Sequence, residues 1–318
     1  MHVYVYVTLF FPLAAVPLAR VATTRLHPRH ATWLLSAAAV VLAATSCGAL
    51  GLLTMAALVR MPLLARLGHW SSTVVDSGDS TSTAVALIAG VLFGAALLAT
   101  ARFVTARTRA LIDAFSHARG LPGRDSLVVT PEQGADAYTI PGWPGRIVVS
   151  SGMLSALDQP GRQALLAHEN AHLNQRHYIY TTAARLAAAA NPLLRPLAGA
   201  VEYSVERWAD EHAADAVGDR RQVATAVARA AIAAKHSPAR LTPAVALGAV
   251  FSRNGGSLTD SGPVPRRVAA LLGPVPRTSL IALAAALAFV VVAGGCALHA
   301  ANELQDLLSL AHHAVDPN

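Results

Sequence analysis

Charge is scarce in this chain. Asp, Glu, Lys and Arg make up 14% of the 318 residues, against about a quarter in an average soluble domain. Aromatic residues are scarcer still, at 5%, so the 54% hydrophobic content is mostly Ala, Leu and Val. That composition argues for a membrane before any motif is read. The only two cysteines, Cys47 and Cys296, sit inside apolar runs and read as small buried apolar residues. The chain also lacks a zinc knuckle, an RNA-binding signature and a Lys/Arg stripe. Its net charge of +7 is therefore no sign of direct nucleic-acid binding. The arginines stand instead at the ends of apolar runs, which is a topology signal.

About 20 apolar residues cross a bilayer as a helix. Four runs qualify: about 3–19, 31–59, 80–101 and 278–302. Residues 3–19 lack the positive start and the clean cleavage site of a signal peptide, so they read as a first span. The connection after them holds Arg20, Arg25 and Arg29 with no acid. Arg60 and Arg66 balance Asp76 and Asp79 in the next connection. Arg102, Arg107 and Arg109 follow the third span, and Arg266, Arg267 and Arg277 precede the fourth. Glu303, Asp306 and Asp316 lie beyond it. Positive connections stay in the cytoplasm. The expected topology in the cytoplasmic membrane is thus both termini outside, 102–277 inside, and a short extracytoplasmic tail at 303–318. Gly90 and Gly94 form a GxxxG in the third span, a spacing that permits a homodimer contact.

The segment 102–277 opens with a basic helical stretch, 102–119. Three short extended runs follow at 126–130, 136–140 and 146–150, with the turn-rich "PGWPG" before the last. They predict a sheet of about three strands. From 151 the pattern is helical: a short helix, then one over 160–176 begun by Asp158 to Gly161, another over 201–216 and a further one over 219–236. Residues 178–201 are apolar but carry Arg185 and Arg195, too costly for a fifth span. Residues 251–276, rich in Gly, Pro and Ser, read as a linker to the last span.

The predicted helix 160–176 carries "HENAH", residues 168–172. His168 and His172 lie four apart, so both imidazoles leave one helix face. This is HExxH, in which two histidines bind zinc and the glutamate, Glu169, acts as general base. A third ligand is expected on a second helix. In "VEYSVERWAD", Glu202, Glu206 and Asp210 fall on one face. Glu206 is the best candidate for the metal, with Glu202 as competitor, and Asp210 is placed to accept a hydrogen bond from a ligand histidine. A solvated acidic face is the alternative reading. His177 reads as non-ligating, well round the helix from His172.

The stretch 137–172, "AYTIPGWPGRIVVSSGMLSALDQPGRQALLAHENAH", followed by "ERWAD" at 206–210, resembles the membrane metallopeptidases of the BlaR/MecR antibiotic-sensor type. It is also similar to their relatives of the HtpX and CAAX prenyl protease type. The resemblance implies HExxH on one helix and ExxxD on a later one, here His168, Glu169, His172, Glu206 and Asp210. It also implies a mainly α integral membrane protein: four transmembrane helices plus a cytoplasmic α+β zincin-like domain with a small sheet. One departure is plain. The sensors carry a large extracellular penicillin-binding domain after the last span, and residues 303–318 are too short for its serine site.

These readings predict one zinc ion and a peptide-hydrolysing enzyme. Glu169 moves the proton, and Arg207 or His212 is a candidate second donor to the oxyanion. The strand 146–150 either offers an exposed edge to an extended substrate or only supports the active-site helix. The expected partners are the lipid bilayer and a cytoplasmic protein substrate, such as a transcriptional repressor or the chain itself. Quality control of membrane proteins is the rival substrate reading. A membrane transducer without catalysis is the rival of another class.

Overall fold

The structure, a computed structural model, describes residues 2–59, 83–120, 126–142, 145–237 and 263–313. Among them, four helices are long and apolar enough to cross a membrane. The first candidate span is not one smooth helix. Pro12 and Pro17 fall in a run that forms α1 (His2–Phe10), a 3-10 turn (Phe11–Ala14) and α2 (Ala15–Arg25). Proline lacks the amide proton that a helix interior needs, which accounts for the interruption. After a tight link at Leu26 and His27 comes α3 (Pro28–Val59). The third span and the basic stretch behind it are one helix, α4 (Thr83–Gly120). Nothing in "ATARFVTART" breaks a helix, so the change from apolar to basic alters its surroundings and not its backbone. Gly90 of the GxxxG packs on Thr54 of α3, while a Cβ at Gly94 would meet no described atom within 4 Å.

Three strands follow: β1 (Leu127–Thr130), β2 (Ala137–Ile140) and β3 (Arg146–Ser150). They form one sheet in the order β1-β3-β2, with β3 parallel to β1 and antiparallel to β2. The strand 146–150, read as a possible edge for substrate, is thus central and paired on both sides. Its alternation serves two layers. Val148 faces Ala114 at the end of α4, together with Val128 and Ile140. Ile147 and Val149 face Met153, Leu157, Leu165 and Leu173 on the other side. Trp143 and Pro144 of "PGWPG" lie outside the described residues.

Next come α5 (Ser151–Ala156) and α6 (Gln159–Asn174). Asp158 caps α6 by accepting from Gly161 N at 2.9 Å, with Pro160 in the first turn. At Gly152 the loop over 132–134 comes close: Gly152 N donates to Glu132 O at 2.9 Å, and a Cβ here would fall on the Gln133 carbonyl. Backbone cannot swing aside as a flexible side chain does. Gly152→Ala is therefore expected to destabilise by about 1–3 kcal/mol, the usual range for overpacking, as a lower melting temperature in detergent with α-helical content unchanged.

The chain then reverses at Gln175 and Arg176 and continues as α7 (His177–Ala190), a 3-10 turn (Pro192–Leu194) and α8 (Arg195–Val217). The helix predicted over 201–216 thus begins earlier, with Pro196 in its first turn. The hairpin of α7 and α8 packs against the spans. Leu194, Leu197, Val201 and Val205 share one buried cluster with Leu34, Leu35 and Leu42 of α3 and with Ala286 and Ala293 farther on. Asn191 Nδ2 donates to Ser46 Oγ of α3 at 3.0 Å.

Helix α9 (Arg220–His236) is capped by Asp219. The region read as a linker contains a helix, α10 (Pro263–Leu272); residues 251–262 lie outside the described set. Prolines at 263 and 265 suggest a loop in sequence, but proline is tolerated in the first helical turn, where no amide bond is lost. Arg220 holds the far end of α10 by donating to the carbonyls of Ala270 and Leu271. The last candidate span is α11 (Leu280–His313), tied to the end of α2 by Ser279 N, which donates to Arg25 O at 2.9 Å.

Candidate metal centre

Helices α6 and α8 approach closely because alanines meet between them: Ala164, Ala213 and Ala214 are all buried in one cluster. That small-residue contact brings the histidine face of α6 onto the acidic face of α8. His168 Nε2 and His172 Nε2 are 3.1 Å apart. Glu206 Oε2 lies 3.6 Å from His168 Nε2, and its Oε1 lies 3.6 Å from His172 Nε2. Among the described residues these three form the group that could hold a metal, with one donor atom apiece, all within 4.8 Å of one another. Zinc bonds of about 2.0–2.2 Å at tetrahedral angles separate ligand atoms by roughly 3.3–3.5 Å. The donor types and the 3.1 and 3.6 Å separations are compatible with zinc.

Glu202, the competing ligand, is occupied elsewhere by an ion pair with Arg185 of α7. Asp210 lies beneath His168, with Nδ1 and Oδ1 3.1 Å apart. The alignment is imperfect, since Nδ1 completes no good hydrogen bond. Asp210 is turned mainly toward Arg267 of α10, which donates to Oδ2 from Nε at 2.8 Å and to Oδ1 from Nη2 at 2.6 Å. The third nitrogen, Nη1, reaches Glu206 Oε2 at 2.7 Å. Arg267 therefore clamps the carboxylate facing the two imidazoles and the one behind them. Neither Arg207 nor His212 lines the cavity beside the cluster; Arg207 faces Glu211 at 3.0 Å instead.

The electrostatics follow. Burial works against a charged Glu206, but Arg267 and the two imidazoles outweigh it and hold its carboxyl far below the usual range. For Asp210 burial again opposes charge, and the hydrogen bonds from Arg267 with the close approach of His168 win. At His168 burial disfavours the imidazolium, yet Asp210 and Glu206 raise its pKa to about 10. His172 moves the other way, lowered chiefly by burial.

Glu169 is buried beside the cluster. Thr139 of β2 donates from Oγ1 to Glu169 Oε2 at 2.9 Å, fixing the carboxylate from the sheet side. No sequence signal marked Thr139; its role depends on β2 being the strand next to α6. The cavity is lined by His168, Glu169, Glu206 and Arg267 on one side. Its other wall is apolar, built from Met153, Leu165, Val227, Ala230 and their neighbours on α9. It has room for about 230 Å³ of water-accessible space and opens to solvent.

His177 does not lie on the active-site helix, as the periodicity suggested. It begins α7, and its ring returns to His172 with the two Nδ1 atoms 3.1 Å apart. Burial, then His172, lowers its pKa to about 3.

A His/His/Glu donor set on two helices, with a buried glutamate next to the first histidine, is the kind of site metallopeptidases use. The comparisons with known proteins agree: residues 102–188 match peptidase family M48. Over that stretch, from the basic end of α4 through the sheet and "HENAH" into α7, the chain is similar to those metallopeptidases, the HtpX and CAAX protease side of the resemblance. Such enzymes are typically zinc-dependent. No curated protein and no solved structure matches.

Proposed function

We propose that the chain is a zinc-dependent endopeptidase of the M48 type, held in the cytoplasmic membrane by four spans, that cuts a protein substrate at the cytoplasmic face. The observation that carries this reading is the donor cluster of His168, His172 and Glu206 beside a buried Glu169 and an open cavity.

Bound at these three side chains, zinc would supply a Lewis acid that lowers the pKa of a water toward 7 and polarises a peptide carbonyl. Glu169 takes the proton from the attacking water and delivers it to the leaving amine nitrogen. Thr139 keeps Glu169 Oε2 aimed during both transfers. Asp210 holds His168 from behind, and Arg267 keeps Glu206 ionised. Arg267, facing the cavity, replaces Arg207 and His212 as the donor nearest a developing oxyanion. The apolar wall of α9 favours a large apolar side chain next to the cleaved bond. Among the described residues β2, not β3, is the edge strand beside the site, and its outer edge can pair with an extended backbone.

The finer reading is regulatory cleavage of a cytoplasmic repressor, or of the chain itself. The M48 match favours the second reading, quality control of membrane proteins. Proteins cut in cells with wild type and with Glu169→Ala separate the two: one defined target supports regulation, whereas many damaged membrane proteins support quality control. Equal processing by both forms would leave a transducer without catalysis.

The wall itself gives a further expectation. Ala230→Phe fills the cavity from α9, away from the donor cluster. It should raise KM for substrates with Leu or Phe at the cut bond by about tenfold, as loss of a buried apolar contact does. Substrates with Ala there should be affected less, and zinc content should not change. A peptide library cleaved by the two forms gives the comparison.

A further inference from the structure

His168 and His172 turn Nε2 toward the donor cluster. The Nδ1 of His168 has Asp210 behind it. The Nδ1 of His172 has His177, at 3.1 Å, with the ring planes at 90° and the centroids 4.8 Å apart. Two ring nitrogens at this distance share one proton, so one donates and the other accepts. If His172 keeps the Nε2 lone pair for a metal, its proton sits on Nδ1 and is donated to His177.

We infer that His177 is a positioning residue of the metal centre: its Nδ1 accepts from His172 Nδ1–H and so fixes the tautomer and ring plane of that ligand. The inference rests on the zinc reading of the cluster. It gives each imidazole its own partner behind it, a carboxylate for His168 and a neutral ring for His172.

Two independent observations support it. The first is backbone conformation. Arg176 has φ 51°, in the left-handed region that glycine favours. This reversal makes His177 the first residue of α7 and folds its ring back over α6. A helix continued through 176 would carry His177 away from His172. Strain of this sort persists where the surroundings hold it, and it gathers at functional sites.

The second is the ring's own environment. His177 is 1% exposed and lies 4.6 Å from the Trp208 ring. Among the described residues its Nε2 finds no hydrogen-bond partner. For packing against Trp208 alone, an apolar ring would serve better, with no polar atom left unsatisfied. The contact from His172 is what the imidazole adds.

The test uses the full-length chain in detergent micelles, stripped by a chelator, then titrated with zinc and separately loaded with cobalt(II) for its visible spectrum. Wild type and the His168→Ala/His172→Ala pair come first. Stoichiometric zinc in the one and none in the other establishes the centre without reference to His177; no zinc in wild type sinks the zinc reading itself. His177→Phe keeps a ring on Trp208 but offers no acceptor, and His177→Leu is a second acceptor-free form should the first not fold. His177→Asn restores an acceptor oxygen near the position of Nδ1. The acceptor-free forms should bind zinc roughly 10- to 100-fold more weakly with a shifted cobalt band, and the metal-free proteins should melt as wild type does. His177→Asn should recover most of the affinity. Wild-type affinity and spectrum in the acceptor-free forms would overturn the inference. So would equal losses in Phe, Leu and Asn, which would make His177 a packing residue only.

Discussion

Glu169→Gln is expected to lower turnover by about 10²- to 10⁴-fold, the usual contribution of a placed general base, while zinc content stays that of wild type. The reasoning is local. Glutamine has the same shape and can still accept from Thr139 Oγ1, so the sheet keeps hold of the side chain. It makes no metal contact that the substitution would remove, because the donor group is His168, His172 and Glu206. What it loses is the ability to take a proton and return it. The measurement is cleavage of an unfolded protein substrate by chain purified in detergent, with metal analysis on the same sample. Undiminished cleavage would remove Glu169 from the mechanism. Lost zinc would instead make it a ligand.

The second large effect is at Arg267. Asp210 is completely buried, and two guanidinium nitrogens supply its main hydrogen bonds. Arg267→Met removes the partner and leaves the carboxylate in place. Breaking a buried pair from one side costs about 3–5 kcal/mol, because an uncompensated charge remains. Glu206 loses its fixed orientation at the same stroke. The variant should melt well below wild type and bind zinc more weakly. Arg267→Met combined with Asp210→Leu removes both charges and should regain much of the melting temperature, yet not the cleavage, since Glu206 stays unclamped and His168 has lost its partner. A single variant that melts and cleaves like wild type would show that the clamp contributes nothing.

What the sequence could and could not convey follows from the range of each signal. The spans are long uniform runs, and the three strands are β-branched runs between turn residues, so both are local patterns. His168 with His172, and Glu206 with Asp210, are paired by helical spacing alone. Strand order is not local: β3 follows β2 in sequence and pairs with it, but nothing in "RIVVS" says that β1 closes its other side. Arg176 takes a left-handed turn without glycine or proline to announce it, so helix periodicity ran on and carried His177 off in the wrong direction. Arg267 was counted only as a topology charge. Its helix is 10 residues long and begins among prolines, and its partners lie 57 and 61 positions earlier in the chain, at Asp210 and Glu206. Thr139 has no motif at all.

Helix α4 runs from Thr83 to Gly120 without interruption, and the hairpin of α7 and α8 shares its interior with α2, α3 and α11. The apolar helices and the helices that carry the donor cluster consequently have no seam. A cut at residue 101 would sever a rod in mid-course and part the segment that carries Ala114 and the sheet from the apolar half of its helix. Any excised water-soluble fragment would bare Leu194, Leu197, Val201 and Val205, the stripe that now faces the anchor. The apolar helices thus brace α8 from behind, while the cavity wall itself is drawn from β2, α5, α6, α8, α9 and α10.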